Sequence, residues 1–173
     1  MAQDPDSAAL ASRLQAIWGT APGLARLTAV NHHTLGLRFI LAALVFFAIG
    51  GGLGLLMRAQ LAGPASPFMT PEVYARVFTM HGTVMMFLFA IPLAEGIAMV
   101  LIPKMIGARD MAFPRLSALG WWCYLFGGTA IVGGLAIGIA PAAGWFMYTP
   151  LSSDRFSPGL GPDLWLLGIT FIE

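Results

Sequence analysis

The stretch from Phe78 to Gly96, FTMHGTVMMFLFAIPLAEG, is almost wholly apolar, yet it contains a histidine and a carboxylate. It lies in a longer run, from about Tyr74 to Ile102, that exceeds the roughly 20 apolar residues needed to cross a bilayer core. An ionisable side chain within such a segment is costly and is therefore a candidate for function. The stretch predicts a membrane-spanning helix that carries two such side chains, His81 and Glu95.

The composition of the whole chain agrees with a membrane protein. Of the 173 residues, 58% are hydrophobic and 10% are charged, whereas soluble domains carry about 25% charged residues. The net charge of +1 indicates no nucleic-acid partner, and the single cysteine, Cys123, cannot form an internal disulfide. Asp4 and Asp6 open a terminus without the apolar region of a signal peptide, so we expect the internal helices to direct insertion.

Two further runs are long enough to span, and a fourth apolar helix begins near the end of the chain. The first run, Phe39–Met57, is bounded by arginines, and the third, Leu116–Ala140, is free of charge. The fourth helix starts at Asp163 and reaches only Glu173. We predict an all-α, polytopic transmembrane helix bundle with three full spans and the start of a fourth. We expect the chain to be a fragment or one piece of a split protein.

The chain divides into an N-terminal segment, 1–30, and a membrane domain, 31–173. Within the first segment, residues 7–18 place apolar side chains on one face of a helix, which would lie on the membrane surface or against a partner; a frayed tail is an equal alternative. Lysine and arginine are concentrated in the N-terminal segment and in the loop 103–115, and this distribution predicts a cytoplasmic N-terminus.

Four side chains could carry chemistry. His81, the only histidine in a predicted span, is either a metal or haem ligand or a packed, hydrogen-bonded histidine. Arg58 either extends to the lipid headgroups or donates to a polar group of a cofactor. Asp110 is either a solvated loop carboxylate or a proton collector at the mouth of the bundle. Glu95 is either an interior carboxyl in a proton relay or an interfacial side chain that reaches the headgroups.

Several motifs together resemble subunit I of the haem–copper oxidases, closest to the cytochrome c oxidase branch. They are VNHHTLG, LLMRAQLAGP, MTPEVYARVFTMHGTVMMF, PKMIGARDMAFPRL and GWFMYTPLS, and they cover nearly everything after about residue 28. The resemblance implies a fragment of a twelve-helix subunit of a terminal respiratory oxidase. Such an enzyme transfers electrons from cytochrome c to oxygen and translocates protons.

The resemblance also implies roles for individual residues. His81 in FTMHG matches the axial ligand of the low-spin haem, and Arg58 in LLMRAQL matches the arginine that binds the formyl group of haem a. Asp110 in GARDMAFPR matches the carboxylate at the entrance of a proton channel. The high-spin haem and copper B are expected in the complete subunit but are not liganded by this segment, so the fragment alone is not expected to be active.

The channel positions depart from the family pattern. Three positions where the family carries asparagines that order water are occupied here by Met99, Ser117 and Ala118. Glu95 stands where the family commonly has a small residue, and we hypothesise that it compensates by carrying protons or fixing water.

The resemblance implies partners and a location. Oxidase subunits II and III, cytochrome c on the outer side and the lipid bilayer are the expected partners, and a bacterial inner membrane is the expected site. A quinol oxidase or nitric oxide reductase relative remains an alternative, although Val73 and Arg76 replace a histidine and a glutamine of the quinol branch. A non-catalytic membrane scaffold, in which His81 and Arg58 only pack, is the alternative from another class.

Overall fold

The computed structural model describes residues 5–18, 23–64 and 66–172, and in these ranges all regular structure is helical. The elements are α1 (Pro5–Trp18), a 3-10 helix (Gly23–Thr28), α2 (His32–Gln60), α3 (Pro71–Thr83), a π-helical segment (Val84–Ala90), α4 (Ile91–Met105), α5 (Pro114–Ala136) and α6 (Gly161–Ile172).

Among the described residues, three helices are long and apolar enough to cross a membrane, as the sequence predicted. They are α2, with 29 residues, the continuous helix Pro71–Met105, with 35, and α5, with 23. The mean hydropathies of their most apolar windows are 2.5, 2.2 and 1.3. The shorter helix α6 follows, and the predicted last residue of the fourth helix, Glu173, lies outside the described residues. By length and composition the chain is a multi-pass membrane protein with an all-α fold.

The first spanning helix begins earlier than the sequence suggested. Helix α2 starts at His32, where the side chain of Asn31 accepts a hydrogen bond from the backbone N–H of Thr34 at 2.7 Å, a typical N-cap. Arg38 therefore lies inside the helix and not before it, with its guanidinium carbon 5.0 Å from the ring centroid of Trp121. The expectation that His81 is the only histidine in a span was wrong, because α2 includes His32 and His33.

The second spanning helix changes its hydrogen-bonding pattern in the middle. Thr70 caps it and Pro71 is its first residue, with the Thr70 hydroxyl accepting from the N–H of Val73 at 3.3 Å. The π-helical segment then widens the helix directly before Pro92, which cannot donate a backbone hydrogen bond. The π-helical segment therefore breaks the regular rotation of 100° per residue between His81 and Glu95.

Glycines allow the helices to approach closely. A Cβ at Gly36 of α2 would lie 2.7 Å from the carbonyl oxygen of Gly96 of α4, so the two backbones meet at this pair. Helix α2 also packs on α3 and α5, and α6 packs on α5. Two clusters of buried side chains fill the bundle, one around Tyr124, Leu88 and Phe39 and one around Trp165, Met80 and Leu53.

The remaining boundaries differ modestly from the predictions. Helix α5 ends at Ala136, before the predicted Ala140, and the chain then turns through Gly138 at a φ of +79°. The predicted N-terminal helix is present as α1, with Leu10 and Leu14 exposed. The surface on which α1 would lie stays a prediction, as does the division at residue 30.

Candidate functional site

The ring of His81 is held by a backbone carbonyl of the neighbouring helix. Its Nδ1 lies 2.9 Å from the carbonyl oxygen of Gly50 on α2. Because a carbonyl can only accept, Nδ1 carries the hydrogen of this bond, and Nε2 is left with its lone pair. Histidines that bind metals commonly have this arrangement, in which the second ring nitrogen donates to a carbonyl and fixes the tautomer.

A row of residues along α2 surrounds this ring. A Cβ at Gly54 would lie 3.3 Å from Cε1 of His81, so this glycine leaves room for the ring where it stands. Arg58 follows Gly54 by four residues, which places it on the same face of α2 about 6 Å further along the axis. Arg58 is exposed and lies one turn of α2 beyond the point where α2 contacts the His81 ring. Arg58 and His81 are therefore at the same end of the bundle.

The backbone that carries His81 is fixed from the other side by the loop after α5. The hydroxyl of Thr79 accepts a hydrogen bond from the N–H of Gly144 at 2.8 Å, and a Cβ at Gly82 would lie 2.4 Å from Trp145. The hydroxyl of Thr83 accepts from the indole N–H of Trp165 on α6 at 2.8 Å. His81 thus lies on a helix whose orientation is set by buried bonds on both sides.

These residues fit a haem with one axial ligand from this segment. A histidine nitrogen is a common axial ligand of haem iron, and His81 offers an oriented Nε2. Met86 is exposed on the same continuous helix and adds a polarisable side chain to it. Among the described residues no group of three or more His, Cys, Asp or Glu could hold a metal ion.

Asp110 binds the opposite end of α2. Its Oδ1 accepts from the backbone N–H of His32 at 3.0 Å and from the N–H of Met111 at 2.8 Å. This carboxylate therefore lies at the N-terminus of α2, where the helix dipole favours negative charge. Its side chain is 32% exposed, so it remains accessible while held in place.

The sequence analysis missed His32 as part of this site. Its ring is buried, with Nδ1 3.3 Å from Oδ1 of Asp110, and its Nε2 has no hydrogen-bond partner in the described chain. The motif NHHT contains the signal that could have found it. Asparagine is a frequent N-cap residue, so Asn31 could have been taken as the start of the helix. His32 is then in the first turn of α2.

A cavity of about 580 Å³ connects the region of Asp110 with that of Glu95. Both carboxylates line it, and its wall also contains Phe39, Ala98 and Pro103. Glu95 is exposed within the described chain and faces this space. The structure therefore brings the two predicted proton-pathway residues to one cavity, although they belong to different elements.

Of the three positions that depart from the family pattern, two line the larger cavity and one does not. Met99 and Ser117 line the same cavity as Asp110, and the Ser117 hydroxyl donates to the carbonyl of Phe113 at 3.2 Å. Ala118 packs instead against the buried cluster around Tyr124. The polar groups that face the cavity are therefore the two carboxylates and Ser117, with no amide side chain among its lining residues.

The chain is similar to known proteins over most of its length. Residues 34–173 match the family model described as cytochrome c and quinol oxidase polypeptide I. A protein of Streptomyces coelicolor named cytochrome c oxidase subunit 1-beta is 48% identical over 143 residues, which cover 82% of this chain and 25% of that protein. A protein of Corynebacterium efficiens named cytochrome c oxidase subunit 1 is 44% identical over 144 residues, covering 83% and 25%. The chain spans about a quarter of the length of the curated relatives it matches.

Proposed function

Since the chain belongs to the family of cytochrome c and quinol oxidase polypeptide I, we propose that it is the N-terminal part of the catalytic subunit of a terminal respiratory oxidase. The whole enzyme would transfer electrons from cytochrome c to oxygen and translocate protons. The observation that carries the proposal is the Nδ1 hydrogen bond of His81 to Gly50, which orients Nε2 for an iron.

His81 and Arg58 would hold a low-spin haem, of type a if Arg58 binds a formyl group. Haem supplies one-electron transfer when it is bound. The segment's own residues would supply one axial nitrogen, from His81, and one cationic donor about a turn away, from Arg58. Gly54 would keep space beside the ring, and the bonds of Thr79 and Thr83 would hold the ligand's helix in place.

Asp110 and Glu95 would form a proton pathway at the other end of the bundle. Asp110 is partly exposed and fixed by two backbone donors, so it can exchange protons with the aqueous phase. The cavity of about 580 Å³ leads from it to Glu95. A water chain in this space could connect the two carboxylates without the missing amides.

The partners would be oxidase subunits II and III, with cytochrome c as the electron donor on the outer face of a bacterial plasma membrane. The N-terminus and Asp110 would then face the cytoplasm. The relatives that this chain matches are named cytochrome c oxidase subunits, which supports cytochrome c as the donor over a quinol. Arg76, at the position of the quinol branch's glutamine, donates instead to the carbonyl of Gly138 at 3.0 Å and holds the loop after α5. The domain boundary at residue 30 is part of the same proposal.

Substitution of His81 by alanine tests the haem site. In the complete oxidase, we expect His81→Ala to abolish the reduced low-spin haem absorbance, because no second donor replaces Nε2. The control is His33→Ala, which removes a histidine that lies near Lys104 at the other end of the bundle. A normal low-spin haem spectrum in His81→Ala would overturn the assignment, and extraction of no haem from the purified complex would favour the scaffold alternative.

A further inference from the structure

A second, smaller cavity lies directly beyond Glu95. Its volume is about 50 Å³. Two residues with polar side chains, Glu95 and Tyr124, line it, and the rest of its wall is apolar: Phe39, Phe87, Ile91, Pro92 and Ile172. It shares Phe39, Glu95 and Ile172 with the larger cavity that contains Asp110. Glu95 therefore lines both the larger and the smaller cavity, and Tyr124 is the residue with a hydroxyl group in the wall of the smaller one.

The hydroxyl of Tyr124 is bound to the backbone of the neighbouring helix. It donates a hydrogen bond to the carbonyl oxygen of Leu88 at 2.7 Å. In a regular α-helix that oxygen would accept from the residue four positions later, which is Pro92 and has no N–H. Leu88 lies in the π-helical segment, close to Pro92, and the Tyr124 hydroxyl supplies a side-chain donor to its carbonyl. The hydroxyl hydrogen of Tyr124 is therefore used in this bond.

The ring of Tyr124 cannot turn easily away from this arrangement. It is 1% exposed, stacks on Phe39 with centroids 5.3 Å apart, and meets the edge of Phe46 at 5.7 Å. Because its only O–H points to Leu88, the oxygen can offer only lone pairs to any other neighbour. Tyr124 can therefore accept a hydrogen bond from the cavity but cannot give a proton to it.

The small cavity has the properties of a water site. A water molecule occupies about 30 Å³ in the liquid and needs two to four polar partners when buried. The space accommodates about one or two such molecules, and Glu95 and Tyr124 are the two lining residues whose side chains carry polar groups.

We propose that this cavity binds water between Glu95 and Tyr124, and that Tyr124 is a positioning residue that orients this water by accepting its hydrogen bond. The inference rests on the proposed role of Glu95 in the proton pathway. It adds a defined end to that pathway, where the tyrosine is an acceptor and the proton carriers are water and Glu95.

The first test is direct. A high-resolution cryo-EM map of the complete oxidase should show water density within hydrogen-bond distance of both Tyr124 Oη and the Glu95 carboxyl. In Tyr124→Phe the same density should be lost while the ring stays in place. An empty cavity in the unmodified enzyme, or one filled by a side chain, would overturn the proposal.

The second test uses infrared difference spectroscopy on the same enzyme. Glu95→Gln identifies the carboxyl band of Glu95, and Tyr124→Phe should shift that band and remove the signal of an ordered water. Thr129→Val is the matched control, since its hydroxyl lies on the same helix and bonds only to Leu125 within that helix.

Different results would contradict the pathway role of Glu95 and the positioning role of Tyr124. If Glu95→Gln leaves turnover and proton pumping unchanged, the proposed role of Glu95 in the pathway is wrong. If Glu95→Gln impairs pumping but its carboxyl band is identical in Tyr124→Phe and in the unmodified enzyme, the pathway stands and the positioning role of Tyr124 is wrong.

Discussion

At the scale of single residues, the candidate haem site depends on two glycines of α2 that contact the ring of His81. Gly50 provides the carbonyl that accepts from Nδ1 of His81, and Gly54 has no side chain where the imidazole lies. A glycine in a helix costs roughly 0.5–1 kcal/mol relative to alanine. This cost is acceptable here because the helices associate through close packing, and the gap allows the ring and its backbone partner to meet.

Enlarging Gly54 should therefore disturb haem binding through the ligand's position. We expect Gly54→Val to push the His81 ring away from Gly50 and to lower haem affinity by roughly 10–100-fold, the usual effect of losing a bond that orients a metal ligand. Low-spin haem content per purified oxidase measures this. Gly52→Val is the control, because a Cβ at Gly52 meets no atom within 4 Å in the described chain. Equal haem content in the two variants would contradict the argument.

At the scale of elements, the second spanning helix consists of three consecutive segments, two α-helical and one π-helical. Helix α3 carries His81 and bonds to the loop after α5, the π-helical segment precedes Pro92, and α4 carries Glu95 to the larger cavity. π-Helical turns are often found at functional sites because they change which residues share a face. Here the segment separates the part of the helix with the candidate ligand from the part with the candidate proton carrier.

The bond between α3 and α6 should contribute measurably to this arrangement. The Thr83 hydroxyl, fully buried, accepts from Trp165 and donates to the carbonyl of Thr79 at 2.9 Å. Thr83→Val would leave the indole N–H buried without an acceptor, which costs about 1–3 kcal/mol. We expect earlier thermal inactivation and haem loss in the purified oxidase. Thr83→Ser keeps the hydroxyl and serves as the control; equal stability of the valine and serine variants would refute the prediction.

At the scale of the whole molecule, the two candidate sites lie at opposite ends of an antiparallel bundle. Arg58 and His81 belong to the end where α2 finishes and α3 begins, whereas Asp110 lies where α2 begins and α4 has finished. The larger cavity extends from the second end toward Glu95. Under the proposed roles, electrons and protons would approach from different sides of one membrane domain.

Neutralising Asp110 should slow proton uptake and leave the fold intact. An asparagine oxygen can still accept from the N–H groups of His32 and Met111, but it cannot exchange a proton. We expect Asp110→Asn to lower turnover roughly tenfold or more and to abolish pumping, with unchanged haem spectra. Oxygen consumption and proton release from vesicles measure both quantities. Asp163→Asn, in the first turn of α6, is the control; equal rates in the two variants would exclude Asp110 as the entrance.

The sequence by itself determined the helical class, the three spanning helices and the presence of a fourth apolar helix, because the length of an apolar run is a local property. The start of that helix was placed at Asp163, whereas α6 begins two residues earlier, at Gly161. The motifs around His81 and Asp110 were sufficient to recognise the family, which the comparisons then confirmed. The roles proposed for His81, Arg58, Asp110 and Glu95 remain predictions.

The tertiary structure alone decided which distant residues meet. The bond between His32 and Asp110 joins positions 78 residues apart, and that between Tyr124 and Leu88 joins positions 36 apart. Neither partner is visible in a periodicity or a hydropathy window, since both depend on how packed helices align. The same holds for the two cavities at Glu95, whose walls come from α2, the π-helical segment, α4, α5 and α6. Chain-local chemistry determines where helices form, and the packing of their surfaces determines where a buried polar group finds its partner.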